Sequence, residues 1–97
     1  MAVERLADDV PELDEFGLLR VGDRWVALSP VQEQLMRALL ARFGAPVART
    51  TLTQAVWPQG EPLRALDMHM AKLRARIAPL GLAVLTLRGR GYVLHAA

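Results

Sequence analysis

Residues 64–77 read R-A-L-D-M-H-M-A-K-L-R-A-R-I, and the reading of this stretch decides the fold. Leu66, Met70, Leu73 and Ile77 recur at spacings of four, three and four, which places them in one narrow stripe of a helix. The opposite face carries Arg64, Met68, Ala71, Lys72 and Ala75. Arg74 and Asp67 lie on one flank, His69 and Arg76 on the other. Arg64, Lys72, Arg74 and Arg76 against Asp67 leave a formal +3, more cation than an exposed face requires. The spacing predicts a helix, about residues 62–78, that rests on a scaffold and turns its outer face to a polyanion.

The totals around this helix bound what it can belong to. Ninety-seven residues, 53% apolar and 23% charged, suit one soluble domain with a modest core. No apolar run approaches the roughly 18 residues of a membrane span, and the acidic N-terminus does not suit a signal peptide. With no cysteine there is no disulfide, thiol nucleophile or zinc-finger framework. A cytoplasmic protein that does not enter membranes is expected. The net charge of +2 hides a separation: residues 1–33 sum to −5 and residues 34–97 to +7. Such a separation points the second part toward an anionic partner. Eleven of the twelve basic residues are Arg, the better bidentate ligand for phosphate or guanine.

Upstream of the central helix, Ser29-Pro30-Val31-Gln32 opens another. Ser29 suits the N-cap, Pro30 the first helical position, and Gln32 completes a capping box. Leu35, Met36, Leu39, Leu40 and Phe43 are its expected buried stripe, with Gly44 as the stop. Thr50–Trp57 reads as a second, shorter helix ended by Pro58, and Trp57 is expected to cap the core. Ala45-Pro46-Val47 is extended and open to forming a short strand. Pro58-Gln59-Gly60 is a turn, Pro62 fits the first turn of the central helix, and Pro79 and Gly81 close it.

Strand-like runs stand at both ends. Leu18–Val21 and Trp25–Leu28 flank Gly22-Asp23-Arg24, a hairpin that would put Leu19 and Val26 on one inward face. Ala83–Arg88 and Tyr92–His95 flank Gly89-Arg90-Gly91, a tight tip carrying the cations Arg88 and Arg90. Residues 1–16 hold five acids between Asp8 and Glu15. Ala2–Val10 has the makings of a short helix that Pro11 ends. This segment is either a solvated leader or an acidic arm for a partner or for the domain's own basic face. Residues 17–97 form the domain proper.

Hairpin, three helices and a basic-tipped hairpin are the layout of an α+β winged helix-turn-helix. In that layout the third helix enters a major groove and the terminal hairpin reaches the neighbouring minor groove. The runs L-S-P-V-Q near residue 28, G-A-P-V-A-R-T-T-L near 44, A-V-W at 55–57, the central stretch at 64–77 and T-L-R-G-R-G-Y-V-L at 86–94 carry a further likeness. Over about residues 18–95 the chain resembles the effector domain of OmpR/PhoB-type response regulators. That resemblance implies sequence-specific binding of double-stranded DNA in a bacterial transcriptional regulator, with the wing at residues 86–93. It implies that Arg64 binds phosphate at the start of the recognition helix and that Met68 and Lys72 meet bases. Arg74 would contact the DNA backbone, Arg88 would enter the minor groove, and Trp57 and Tyr92 would touch phosphates or brace them. Arg76 and Arg90 add non-specific attraction, and His69 resembles a common family residue with a packing or phosphate role.

Departures from the family pattern qualify these roles. Ala65, Ala71 and Ala75 stand where Thr, Arg and Lys are common, so direct base readout should be sparse. Gln32 and Glu33 replace a Glu-aromatic pair, and Ala48 stands where a Ser often caps the second helix. The loop after Trp57, where family activators meet RNA polymerase, is short. Upstream there is room for two strands rather than four, and the chain is expected to lack a receiver domain. Met68, exposed where Met70 is core, is either incidental or a contact for a thymine methyl group.

Other functions find less in the sequence. There is no Gly-rich phosphate loop, no paired carboxylates in an apolar context and no cysteine, so an enzyme is not expected. His69 and His95 are remote from one another and no carboxylate sits at ligand spacing, so neither a metal nor a cofactor is implied. The alternative is a winged-helix interaction module that binds RNA polymerase or a partner regulator. A homodimer on DNA is compatible with either.

Overall fold

A computed structural model describes residues 10–60 and 63–97. The elements in chain order are strands β1 (Glu12–Leu13), β2 (Leu18–Val21) and β3 (Arg24–Ala27), then helices α1 (Pro30–Leu40), α2 (Arg49–Val56) and α3 (Leu63–Ile77). A 3-10 turn (Ala78–Leu80) leads into β4 (Leu82–Leu87) and β5 (Gly91–Ala96). The strands form two antiparallel sheets, β1-β2-β3 and β4-β5. The result is the expected winged helix-turn-helix.

Local chemistry sets the element ends. Ser29 Oγ accepts from the Gln32 N–H while the Gln32 side chain accepts from the Ser29 N–H, so the capping box at α1 is complete. Ala48 at the N-cap of α2 supplies no such bond, as its side chain dictates. In the first hairpin Leu19 pairs with Val26, the inward pair read from the turn. Val47 exchanges two backbone hydrogen bonds with Tyr92, so the Ala45–Val47 segment adds a one-residue bridge to β5.

Two expectations are corrected. Phe43 is not in the buried stripe of α1; it is 46% exposed. The helix ends at Leu40, and the N–H groups of Arg42 and Phe43 turn back three residues to Leu39 and Leu40. Tightening of that kind takes Phe43 off the 3.6-residue phase that would have buried it. The N-terminal sheet has three strands, not two. Glu12 and Leu13, placed by the sequence in the leader of residues 1–16, pair with Arg20 and Leu19. The Asp14 carboxylate accepts from the N–H groups of Phe16 and Leu18 and so closes the turn into β2. The helix expected over Ala2–Val10 falls, but for Val10, outside the described residues.

One core unites the layers. Leu19 from β2, Leu35, Met36 and Leu39 from α1, Leu52 from α2, four side chains of α3 and Leu94 from β5 are all fully buried. Two reciprocal clips hold the N-terminal sheet to the end of α3. Arg24 Nη1 donates to the Pro79 carbonyl at 3.0 Å, and Arg76 Nε donates to the Ala27 carbonyl at 2.9 Å.

Candidate nucleic-acid interface

The phase of α3 follows from burial. Leu66, Met70, Leu73 and Ile77 are each wholly buried, and at about 2 kcal/mol apiece they outweigh any exposed ion pair on the helix. That choice forces Arg64, Met68, Ala71, Lys72 and Ala75 outward, and all five are exposed. Met68, at 53% exposure, has no part in the core. By helical phase Arg64, Met68 and Ala75 run along the middle of this face, and Ala71 lies on one shoulder. Lys72 sits on the other shoulder, beside a shallow groove that it shares with Val26, Gln32, Ala75, Arg76 and Pro79.

The wing stands on the other flank of the helix. Its tip is the turn Arg88–Arg90, closed by the Arg90 N–H on the Leu87 carbonyl at 2.9 Å. Gly91 then passes so close to the Val47 backbone that a β-carbon there would lie 2.0 Å from the Val47 carbonyl oxygen. Only glycine allows that approach, and it seats the base of the wing against the start of α2. Arg88 and Arg90 project from the tip and are exposed.

A polar lock under the interface joins α2, α3 and β5. Arg49 Nη1 lies 2.8 Å from Asp67 Oδ1. The buried Tyr92 hydroxyl donates to Asp67 Oδ1 and accepts from Arg49 Nη1. The guanidinium groups of Arg49 and Arg74 each sit 5.6 Å from the Tyr92 ring centroid. Hydrogen bonds from Arg49 and then Tyr92 hold the Asp67 carboxyl below the usual carboxylate range. The hydrogen bond to Asp67 raises the Arg49 guanidinium further. Burial first, then the bond to Asp67, pushes the Tyr92 phenol up.

The ten residues singled out from the sequence therefore divide. Arg64, Lys72, Arg88 and Arg90 are exposed cations with no hydrogen-bond or ion-pair partner among the described residues, and Met68 is exposed between them. Arg74 belongs elsewhere: it is half-buried, its Nε donates to the Val84 carbonyl at 2.9 Å, and its Nη2 donates to Thr86 Oγ1. It ties α3 to β4. Tyr92 is inside the lock and braces the interface from below. Arg76 lies on the flank away from the wing, with its Nε engaged by β3. His69 packs on Trp57, ring centroids 5.5 Å apart and planes at 47°. Both rings are half-buried, and the Trp57 indole N–H has no partner among the described residues. Arg49 and Asp67 were missed as a functional pair, because their meeting depends on how two helices cross. Among the described residues no group of acids and histidines could hold a metal ion, and no helix is long and apolar enough to cross a membrane.

Comparison with known proteins agrees with this architecture. Residues 22–94 match the family model described as "Transcriptional regulatory protein, C terminal". The transcriptional regulatory protein TctD of Salmonella typhimurium is 28% identical over 103 residues, which cover 96% of this chain and 46% of that protein. The chain thus spans just under half the length of this curated relative. The C-terminal domain of the nisin resistance regulator NsrR, a lantibiotic response regulator, is 30% identical with a TM-score of 0.77, over 91% of this chain and 94% of that one. The DNA-binding domain of CpxR from E. coli is 26% identical with a TM-score of 0.74, over 92% and 93%.

Proposed function

Because the chain belongs to the family of C-terminal domains of transcriptional regulatory proteins, we propose that it is the double-stranded-DNA-binding domain of a bacterial, cytoplasmic transcriptional regulator. Helix α3 enters the major groove and the Arg88–Arg90 tip reaches the adjacent minor groove. The observation that carries this reading is the distribution of unengaged cations. Arg20, Arg24, Arg37, Arg49, Arg74 and Arg76 are engaged within the fold. Among the described residues Arg42, Arg64, Lys72, Arg88 and Arg90 have no intramolecular partner, and all of these but Arg42, just past the end of α1, lie on the outward face of α3 or on the wing. Unspent guanidinium and ammonium groups on one helix face and one hairpin tip suit a row of phosphates.

In this reading Arg64, Arg90 and the free end of Arg76 neutralise phosphates, and the Trp57 N–H is available for another. Lys72 and Met68 meet base edges, and Arg88 enters the minor groove. His69 orients Trp57, while Arg74 and Tyr92 hold the helix and wing in register. A second copy on the DNA, a partner regulator and RNA polymerase are the proteins such a domain would meet there. The test is duplex binding measured from 50 to 200 mM salt with a pool of random sequences. Neutralising about three phosphates gives a log–log slope near −3, with one sequence class enriched. Affinity that ignores salt would refute the proposal.

A further inference from the structure

We infer that the outward face of α3 selects DNA by the methyl groups of thymine, through the strip Met68, Ala71 and Ala75. The inference rests on the DNA-binding reading and names what that surface reads. Met68 is 53% exposed, and Ala71 and Ala75 are exposed beside it. Helical phase puts Met68 and Ala75 in the middle of the outward face, in line with Arg64 about one turn before them, with Ala71 and Lys72 toward its opposite borders. Beyond Arg64, the middle of this face offers the bases no charged or strongly hydrogen-bonding group.

That chemistry restricts what the groove can present. Each base edge in the major groove displays polar groups except at one kind of position, the C5 methyl of thymine. Amino, carbonyl or ring-nitrogen groups of the bases set against Ala71 and Ala75 would lose water and gain no partner. A methyl group set there loses only unfavourable contact with water. Alanines also let the helix backbone come close, and the unbranched thioether of Met68 adapts its shape to an apolar neighbour. Met68 and Ala75 are seven residues apart, about 10 Å along the axis, which is roughly three base-pair steps. The preferred site therefore contains thymines clustered within about three consecutive base pairs of one major-groove segment.

The experiment uses the whole chain and the duplex enriched from a random pool. Each thymine is replaced in turn by deoxyuridine, which removes the methyl group and leaves every hydrogen-bonding atom in place. Loss of about fourfold in affinity per methyl is expected at one to three clustered positions. In Met68→Ala, an exposed substitution that leaves the core intact, the deoxyuridine effect at one of those positions should vanish. Adding a C5 methyl to a cytosine placed at that position should restore part of the affinity of the unsubstituted chain. Unchanged affinity after every thymine is replaced would overturn this inference and leave DNA binding standing. So would a deoxyuridine effect that persists undiminished in Met68→Ala. Failure to bind any duplex would instead remove the reading beneath it, and this inference with it.

Discussion

Arg74 holds its guanidinium 5.6 Å from the ring centroid of Tyr92, and the same group reaches past that ring to the Val84 carbonyl and the Thr86 hydroxyl. One side chain thereby joins the third helix to both strands of the wing. A cation with both ends satisfied in this way has little left for a phosphate. Arg74→Ala should lower stability by about 1–2 kcal/mol and weaken DNA binding for every sequence alike, since the wing loses its register with the helix. The salt slope of binding should stay as it was. Denaturant titration and salt titration of the variant together check this; a slope shallower by about one, with stability unchanged, would make Arg74 a phosphate ligand after all.

Arg88 presents the reverse case. It is exposed at the wing tip and engages nothing among the described residues, so its removal should leave stability within about 0.5 kcal/mol. Its effect should appear on DNA. Runs of A·T narrow the minor groove and deepen its negative potential, so Arg88→Ala should lose roughly fivefold more affinity on A·T-rich flanks than on G·C-rich ones. Equal losses on both flanks, measured by competition between labelled duplexes, would put the wing outside that groove.

What the sequence disclosed and what it hid follow one physical division. The phase of α3, the capping box at Ser29 and the hairpin register of Leu19 with Val26 are set by neighbours within a few residues, and all could be read. Phe43 was misread because a helix pattern does not say where the last turn tightens. The strand at Glu12–Leu13 was missed because two residues carry no alternation to detect. The engagement of Arg74 and of the Nε of the exposed Arg76 went unseen, since their partners are backbone carbonyls on β4 and β3 that a linear reading cannot bring near. The Arg49–Tyr92 bond closes across 43 positions and needs the finished fold. The candidate site was therefore legible as a face, and much less so in the division between cations that hold the face together and cations that remain free.

Gly91 and Gly89 offer a controlled comparison within one turn. Both have positive φ, 113° and 76°. A β-carbon at Gly89 meets nothing within 4 Å, whereas at Gly91 it collides with the Val47 carbonyl. Gly89→Ala should cost about 1 kcal/mol from backbone strain alone. Gly91→Ala should cost about 3 kcal/mol or more, because backbone on both sides must move. In a domain of this size the first lowers the melting temperature by about 4–8 °C and the second by about three times as much or more. Similar shifts for both variants would mean that the Val47–Tyr92 bridge yields freely.

Asp67 gives the fold an acid-sensitive fastening. Its carboxyl is held below the usual range, first by Arg49 and then by Tyr92, so the folded state binds that proton less readily than the unfolded chain. The sign follows from linkage: the contribution is fully present above the unfolded carboxylate value near pH ~3.9 and is lost as pH falls through the lower folded value. The Asp67 side chain is 51% exposed, so solvent screening limits the contribution to about 1 kcal/mol or less. Denaturant midpoints at pH 6 and pH 3 should therefore differ less in Asp67→Asn than in the unsubstituted chain, because the other carboxylates titrate in both and cancel. Equal differences would show that ionisation of Asp67 adds no stability to the fold. At the alkaline end the raised Tyr92 phenol works the other way: its share is whole below about pH 10 and is lost as pH rises through its folded value. Tyr92→Phe should accordingly flatten the alkaline limb and leave the Arg49–Asp67 pair to carry the acid limb alone.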